Sequence, residues 1–371
     1  MKFYIIAGEA SGDLHGSNLM KALRAQRNDL EFRFWGGDKM SVIAGEPVKH
    51  IRDLAFMGFV EVLANIRTIT KNIRMCKQDI LDYKPDALVL IDYPGFNLRI
   101  AEFAKANNIK VLYYISPQVW AWKEGRVKKI RRVVDKMYCI LPFEKEFYAK
   151  HNYDVEFVGH PLVDAINSFK INAPSKEEFS SKYELSEKPI LALLPGSRVQ
   201  EIKVKLPIML EAAKEFNEYQ IVICGAPNRE ESFYKSIAGN VDVKVVTNDT
   251  YGVLNYAGLA MVTSGTATLE TALFKVPQVV CYKGSAISFA IAKRLVKVDY
   301  ISLVNLIMSQ ELVKELIQGD LTPQNIVSNL SELKEGEKRE KLLNQYDSLI
   351  EKLGGGGASE NTARKMLDLI Q

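Results

Sequence analysis

Short apolar runs bounded by turn residues alternate with longer amphipathic segments along the whole chain, the pattern of strands alternating with helices in parallel sheets. The architecture is therefore α/β. Lys2–Ala7, Arg33–Trp35, Ala87–Ile91, Lys110–Tyr114, Lys136–Ile140 and Glu156–Phe157 read as strands of a first doubly wound sheet, with helical patterns such as Ser17–Gln26 and Leu98–Asn107 between them. Phe169–Lys188 is polar, carries Pro174 and lacks a continuous apolar face, so it reads as a linker with one short helix. A second series follows it. Ile190–Leu194, Tyr219–Cys224, Val243–Val246, Leu259–Val262 and Gln278–Tyr282 read as strands, separated by helical patterns at Val204–Glu215, Tyr251–Tyr256 and Thr268–Leu273. Two similar sheets in tandem, in a chain of 371 residues, predict two domains facing a cleft.

The C-terminal stretch is helical in pattern and rich in Lys and Glu, but Gly354-Gly355-Gly356-Gly357 interrupts it, because a four-glycine run does not stay inside a stable helix. No strand precedes this run, so it reads as a flexible joint rather than a phosphate loop. The expected division is an N-terminal domain over 1–168, a second domain over 169–345, and a closing segment over 346–371 that packs back on the first.

Composition narrows the function classes. With 47% hydrophobic and 25% charged residues the chain is an ordinary folded protein, and a formal charge of +4 is too small to imply nucleic-acid binding. Cys76, Cys139, Cys224 and Cys281 have no zinc-ligand spacing and read as reduced core thiols of a cytosolic protein. Four histidines without HxxxH or HxxE spacing argue against a metal site. Glu9 and Asp13 break the first apolar run before a signal-peptide core or membrane span is complete, so any membrane contact is expected to be peripheral.

The chemistry concentrates where strands end. Gly8-Glu9-Ala10-Ser11-Gly12-Asp13 delivers the chain from a strand to a helix N-terminus, which attracts anions and polar ligands; its spacing is not GxGxxG, and Asp13 as a helix cap reads equally well. Asp92, in Ile91-Asp92-Tyr93-Pro94-Gly95-Phe96-Asn97, stands at a strand's C-terminal end, where open α/β sheets place ligands, and is well sited as a general base. The plainer alternative is a carboxylate bonded to its own turn. Ser116-Pro117-Gln118-Val119-Trp120-Ala121-Trp122-Lys123, followed by Arg126, Lys128, Lys129, Arg131 and Arg132, sets aromatics beside cations, suited to a sugar or phosphate but equally to a core Trp120 and a solvated helix face. Gly196, Ser197 and Arg198 close a strand before a helix and offer N–H groups, a hydroxyl and a guanidinium to a diphosphate. Ser264, Gly265, Thr266, Ala267 and Glu270 repeat that arrangement, with Glu270 placed for a ribose hydroxyl pair or for a capping box. His160 could face the cleft, although a lone histidine is more often structural, and the apolar Ala55–Leu63 is either core or a patch for a lipid surface.

Taken in order, these motifs together with Met57-Gly58-Phe59-Val60-Glu61-Val62 and Leu141-Pro142-Phe143-Glu144 resemble those of the lipid-A-disaccharide synthase family over essentially the whole chain. The resemblance implies a GT-B glycosyltransferase, two Rossmann-like domains facing a cleft. Such an enzyme joins UDP-2,3-diacylglucosamine to 2,3-diacylglucosamine 1-phosphate with inversion at the anomeric carbon, needing no metal or other cofactor. It further implies Asp92 as base, with Asp13 or Glu9 as the alternative. Arg198 and the Ser197 turn would stabilise the departing UDP, while Gly265, Thr266, Ala267 and Glu270 contact the nucleotide and Asn305 lines the cleft. Acylated substrates imply work at the cytoplasmic face of the inner membrane, with Phe56–Val60 and Arg126–Arg132 as contacts; a homodimer is left open. Competing readings are a UDP-sugar epimerase of the same shape and a noncatalytic nucleotide-sugar binding protein.

Overall fold

A computed structural model describes residues 1–54, 65–122, 124–227, 229–285, 289 and 298–370. The apolar Ala55–Leu63 stretch and Lys123 lie outside the described residues. The chain forms two units, Met1–Pro161 with Leu353–Gln371, and Leu162–Lys352.

The first unit holds strands β1 (Lys2–Ala7), β2 (Glu31–Gly36), β3 (Lys49–His50), β4 (Ala87–Ile91), β5 (Lys110–Tyr114), β6 (Lys136–Cys139) and β7 (Glu156–Phe157). They form one parallel sheet in the order β3-β2-β1-β4-β5-β6-β7. Side chains of successive strand residues go to opposite faces, so each strand feeds two cores. Tyr4, Ile6, Leu88, Leu90, Val111 and Tyr113 pack on one face. Phe3, Ile5, Val89, Ile91, Leu112 and Tyr114 pack on the other, where Ala363, Met366 and Leu367 of the C-terminal helix Ala358–Ile370 complete the layer. The glycine run turns the chain into that helix with positive φ at Gly354, Gly355, Gly356 and Gly357. Leu353 O accepts a bond of 3.0 Å from His160 N, which ties the run to the end of the first sheet.

The second unit holds β8 (Ile190–Leu194), β9 (Gln220–Gly225), β10 (Lys244–Thr247), β11 (Ala257–Thr263), β12 (Gln278–Tyr282) and β13 (Lys314–Ile317), again all parallel, in the order β10-β9-β8-β11-β12-β13. Phe169–Lys188 is more helical than expected. Helix Pro161–Ile171 extends into it, and Lys176–Lys182 follows, opened by a reciprocal cap between Ser175 and Glu178.

Both strand orders reverse once in the same way, between β1 and β4 and between β8 and β11. At such a reversal the connections leave in opposite directions and open a crevice beyond the carboxyl ends of the two central strands. The turns at Gly8–Asp13, Asp92–Asn97, Gly196–Arg198 and Ser264–Ala267 follow those four strands. The four cysteines are buried and unpaired. Among the described residues, no helix is long and apolar enough to cross a membrane.

Candidate active site

In the first unit the chain leaves β4 through two consecutive left-handed residues, Asp92 (φ 41°) and Tyr93 (φ 49°). Neither is glycine, and each such conformation costs on the order of 1–3 kcal/mol unless its surroundings enforce it. The enforcement is visible. Asp92 N donates to Tyr114 O at 3.2 Å, while Asp92 O accepts from Asn97 Nδ2 at 2.7 Å and Tyr113 Oη at 2.5 Å. Asn97 Nδ2 also donates to Ile91 O at 3.2 Å, and Asn97 N donates to Tyr93 O at 3.0 Å. The Tyr93 ring stacks on Phe96, with centroids 5.7 Å apart. It also covers Gly8, where an added Cβ would stand 2.4 Å from the ring, so only glycine fits the first turn. Burial, and then the nearby charge of Glu9, push the Asp92 carboxyl up to about 6. A base poised there is ionised at neutral pH yet basic enough to take a hydroxyl proton as its bond forms.

Asp13 has another task. Buried within helix Ala10–Gln26, its carboxylate accepts from Gly37 N at 2.7 Å, Lys39 N at 3.0 Å and Met40 N at 3.1 Å. It caps helix Asp38–Ala44 from outside, and both its oxygens are already engaged by backbone donors. The expectation that Asp13 serves as the alternative base is corrected accordingly. As the N-cap of helix Ala10–Gln26, Glu9 remains exposed.

The segment after β5 is anchored rather than open. Ser116 Oγ and Tyr148 Oη share a hydrogen bond of 2.8 Å, and Trp120 stands edge-on to Phe143 at 4.9 Å. Glu144, buried, closes a cap on Leu141 N at 3.0 Å, and burial raises its carboxyl to about 7. Lys129 and Arg132 both pair with Glu102, so part of the basic cluster is a neutralised helix face. His160 is 4% exposed, and burial first, then His15, lower its imidazole to about 3. It is a neutral core side chain.

In the second unit, Gly196, Ser197, Ser264, Gly265, Thr266, Ala267 and Glu270 line one cavity of about 330 Å³. Leu194 pairs with Val262, which sets the two turns side by side. Helices Val199–Ala213 and Thr266–Leu273 begin here, and neither N-cap, Arg198 or Gly265, places a side chain on the first-turn N–H groups. Elsewhere in the unit Asp249, Ser302 and Thr322 do cap their helices. The first-turn donors at the cavity therefore stay available to an anion. Thr263 Oγ is buried there without a partner. The capping box considered for Glu270 does not form. Its Oε1 accepts from Tyr251 Oη at 3.2 Å, and burial raises its carboxyl.

Arg198 does not line the cavity wall. Its guanidinium is 76% exposed and lies 3.5 Å from Glu201 Oε1. Asn305 does not line it either. Fully buried, its Nδ2 donates to Val313 O at 2.8 Å and Glu315 Oε1 at 2.9 Å, while its Oδ1 accepts from Leu312 N and Val313 N. Glu315, held by Asn305, also accepts from Ile301 N and Ser302 N, and Ile301 O receives Ser264 Oγ at 3.0 Å, so Asn305 supports the turn from behind rather than facing a ligand. Sequence reasoning missed Thr250, Ala226, Pro227 and Thr263 on the cavity wall, although all lie at or just beyond strand ends. It also missed Lys205 and Glu201 on the following helix; the signal was a lysine on an otherwise apolar helix face.

Two doubly wound parallel units in one chain, each with its turns at the reversal of strand order, define a fold of the GT-B class. The crystal structure of UDP-GlcNAc 2-epimerase from Neisseria meningitidis bound to UDP-GlcNAc matches with TM-score 0.72 at 14% identity, covering 99% of this chain and 100% of that one; the likeness is one of fold alone. The family model for lipid-A-disaccharide synthetase matches residues 3–368. The lipid-A-disaccharide synthase of Syntrophus aciditrophicus is 39% identical over 99% of this chain and 97% of its own length. That of Myxococcus xanthus is 37% identical over 100% and 97%. The chain belongs to the lipid-A-disaccharide synthetase family.

Proposed function

We propose that this chain transfers the sugar of UDP-2,3-diacylglucosamine to the 6-hydroxyl of 2,3-diacylglucosamine 1-phosphate, releasing UDP and forming the β-1,6-linked disaccharide 1-phosphate of lipid A. Asp92 takes the hydroxyl proton while that oxygen attacks the anomeric carbon from the face opposite the nucleotide, so an α-linked donor gives a β-linked product. The bond to UDP breaks as the new one forms. Negative charge then grows on the diphosphate, where the helix N-termini at Ser197 and Gly265, together with Arg198, stabilise it. Glu270 holds the ribose. The observation that carries the reading is Asp92, held out of the sheet by a strained turn with its carboxyl near 6.

No metal or other cofactor takes part in this scheme, since cationic and N–H groups of the chain cover the leaving charge. Both substrates carry acyl chains, so the reaction belongs at the cytoplasmic face of the inner membrane, with the chain bound peripherally. Lys128 and Arg131 of the basic Arg126–Arg132 stretch, which leave Glu102 to Lys129 and Arg132, meet the anionic headgroups in this scheme. The test incubates purified protein with both substrates in detergent, without added metal. UDP and disaccharide appearing together support the proposal; a donor altered only at its sugar would favour the epimerase reading, and UDP binding without turnover a binding protein.

A further inference from the structure

Lys205 lies on the apolar side of helix Val199–Ala213 and is only 2% exposed. A lysine is rarely buried without a purpose for its charge, because desolvating an ammonium costs several kcal/mol. Side chains on a helix lean toward its N-terminus, and here that direction leads beneath the Gly196 turn. A Cβ on Gly196 would stand 3.7 Å from Lys205 Nζ and 2.9 Å from Glu201 Oε2, so the bare Cα at φ 105° lets both charged groups reach the underside of the turn. Lys205 Nζ is 3.6 Å from Glu201 Oε2, and Glu201 Oε1 is 3.5 Å from the Arg198 guanidinium. One carboxylate thus serves two cations, one buried and one largely exposed.

We infer that Lys205 is a positioning residue that neutralises Glu201, so that Arg198 is free to leave the carboxylate for the diphosphate of a bound nucleotide. The inference rests on the nucleotide reading of this cavity. Without the ammonium, Glu201 would keep Arg198 as its only countercharge and turn an uncompensated negative charge toward the phosphates. Burial lowers the Lys205 ammonium while Glu201 opposes that fall, so the pair is interdependent.

The experiment measures UDP and uridine binding to wild type, Lys205→Met, Glu201→Gln and the double variant, with a thermal melt of each. Methionine keeps the volume and removes the charge. Lys205→Met is expected to weaken UDP by about tenfold or more and leave uridine unchanged. Glu201→Gln should bind UDP no more weakly than wild type, and the double variant should recover most of the loss. Equal losses of UDP and uridine, an unaffected Lys205→Met, or a double variant no better than the single would overturn the inference. Should Lys205→Met not fold, Glu201→Gln decides, and a UDP loss as large as that of Arg198→Ala sinks the idea. A wild type that binds no UDP overturns the proposed function and this inference with it, an outcome distinct from a defect confined to the variants.

Discussion

The two units share a winding, and each reverses its strand order at the same place, yet the two reversals are furnished differently. In the first, the turn after β4 uses aspartate and tyrosine in left-handed backbone, held by Asn97, Tyr113 and Tyr114. In the second, the turns after β8 and β11 use Gly196 and Gly265 for positive φ and leave first-turn N–H groups open. Neighbours that hold the Asp92 backbone N and O enforce a strained turn, and so fix where the Cα that carries its carboxyl stands. Open backbone lets a polyanion approach closely, as binding requires. Under the proposed function, one winding serves chemistry in one unit and affinity in the other.

If that contrast is right, the largest effect falls on Asp92→Asn. Transfer kcat should fall by roughly 10²–10⁴ while UDP affinity stays within about twofold, read from single-turnover rates and UDP titration. A parallel loss of UDP affinity would break the division of labour. Arg198→Ala should do the reverse in emphasis, weakening UDP by about 10–100-fold and lowering kcat/KM with it.

The pH dependence sharpens the same comparison. As the proposed base Asp92 has to be ionised, so kcat/KM should rise with pH through about 6 and then level, and Asp92→Asn should lose that rise. The stability effect has the opposite sign. Because the folded carboxyl lies above its ordinary 3.8, ionising it costs the native state. Above pH 6 that cost is fully present, and it fades as pH falls toward 4. Denaturant titration should therefore find Asp92→Asn more stable than wild type by about 1 kcal/mol or more at pH 8, with little difference at pH 4. The smallest effect concerns metal: saturating chelator should leave the rate unchanged, and a loss restored by a divalent ion would show that the leaving group has another partner.

Much of the local structure was legible in the residues. The limits of β1, β4, β5, β7, β8 and β12 coincide with the apolar runs read from sequence. Apart from the opening Lys2, Lys110 and Gln278, the residues of β1, β4, β5, β8 and β12 are apolar, because these strands lie inside parallel sheets covered on both faces. The turns that follow carry recognisable glycine, hydroxyl and carboxylate patterns. β3 and β13 left no such signal; they are short strands at the sheet edges, and Lys49-His50 and Lys314–Ile317 are too polar to stand out.

Sequence by itself determined the alternation of strand and helix, the places where turns meet helix N-termini, and the family. Tertiary structure decided what each polar side chain is for. Asp13 caps a helix some 24 positions away, Asn305 is consumed by its own loop, and Lys205 and Glu201 meet beneath a glycine turn. It also decided which residues of helix Ala358–Ile370 enter the core of the first sheet, namely Ala363, Met366 and Leu367. Periodicity and turn propensity act over a few neighbouring residues, so a single chain displays them. Hydrogen-bond partners, burial and the proton affinity that follows are set by segments distant in sequence, and exist only once those segments have packed.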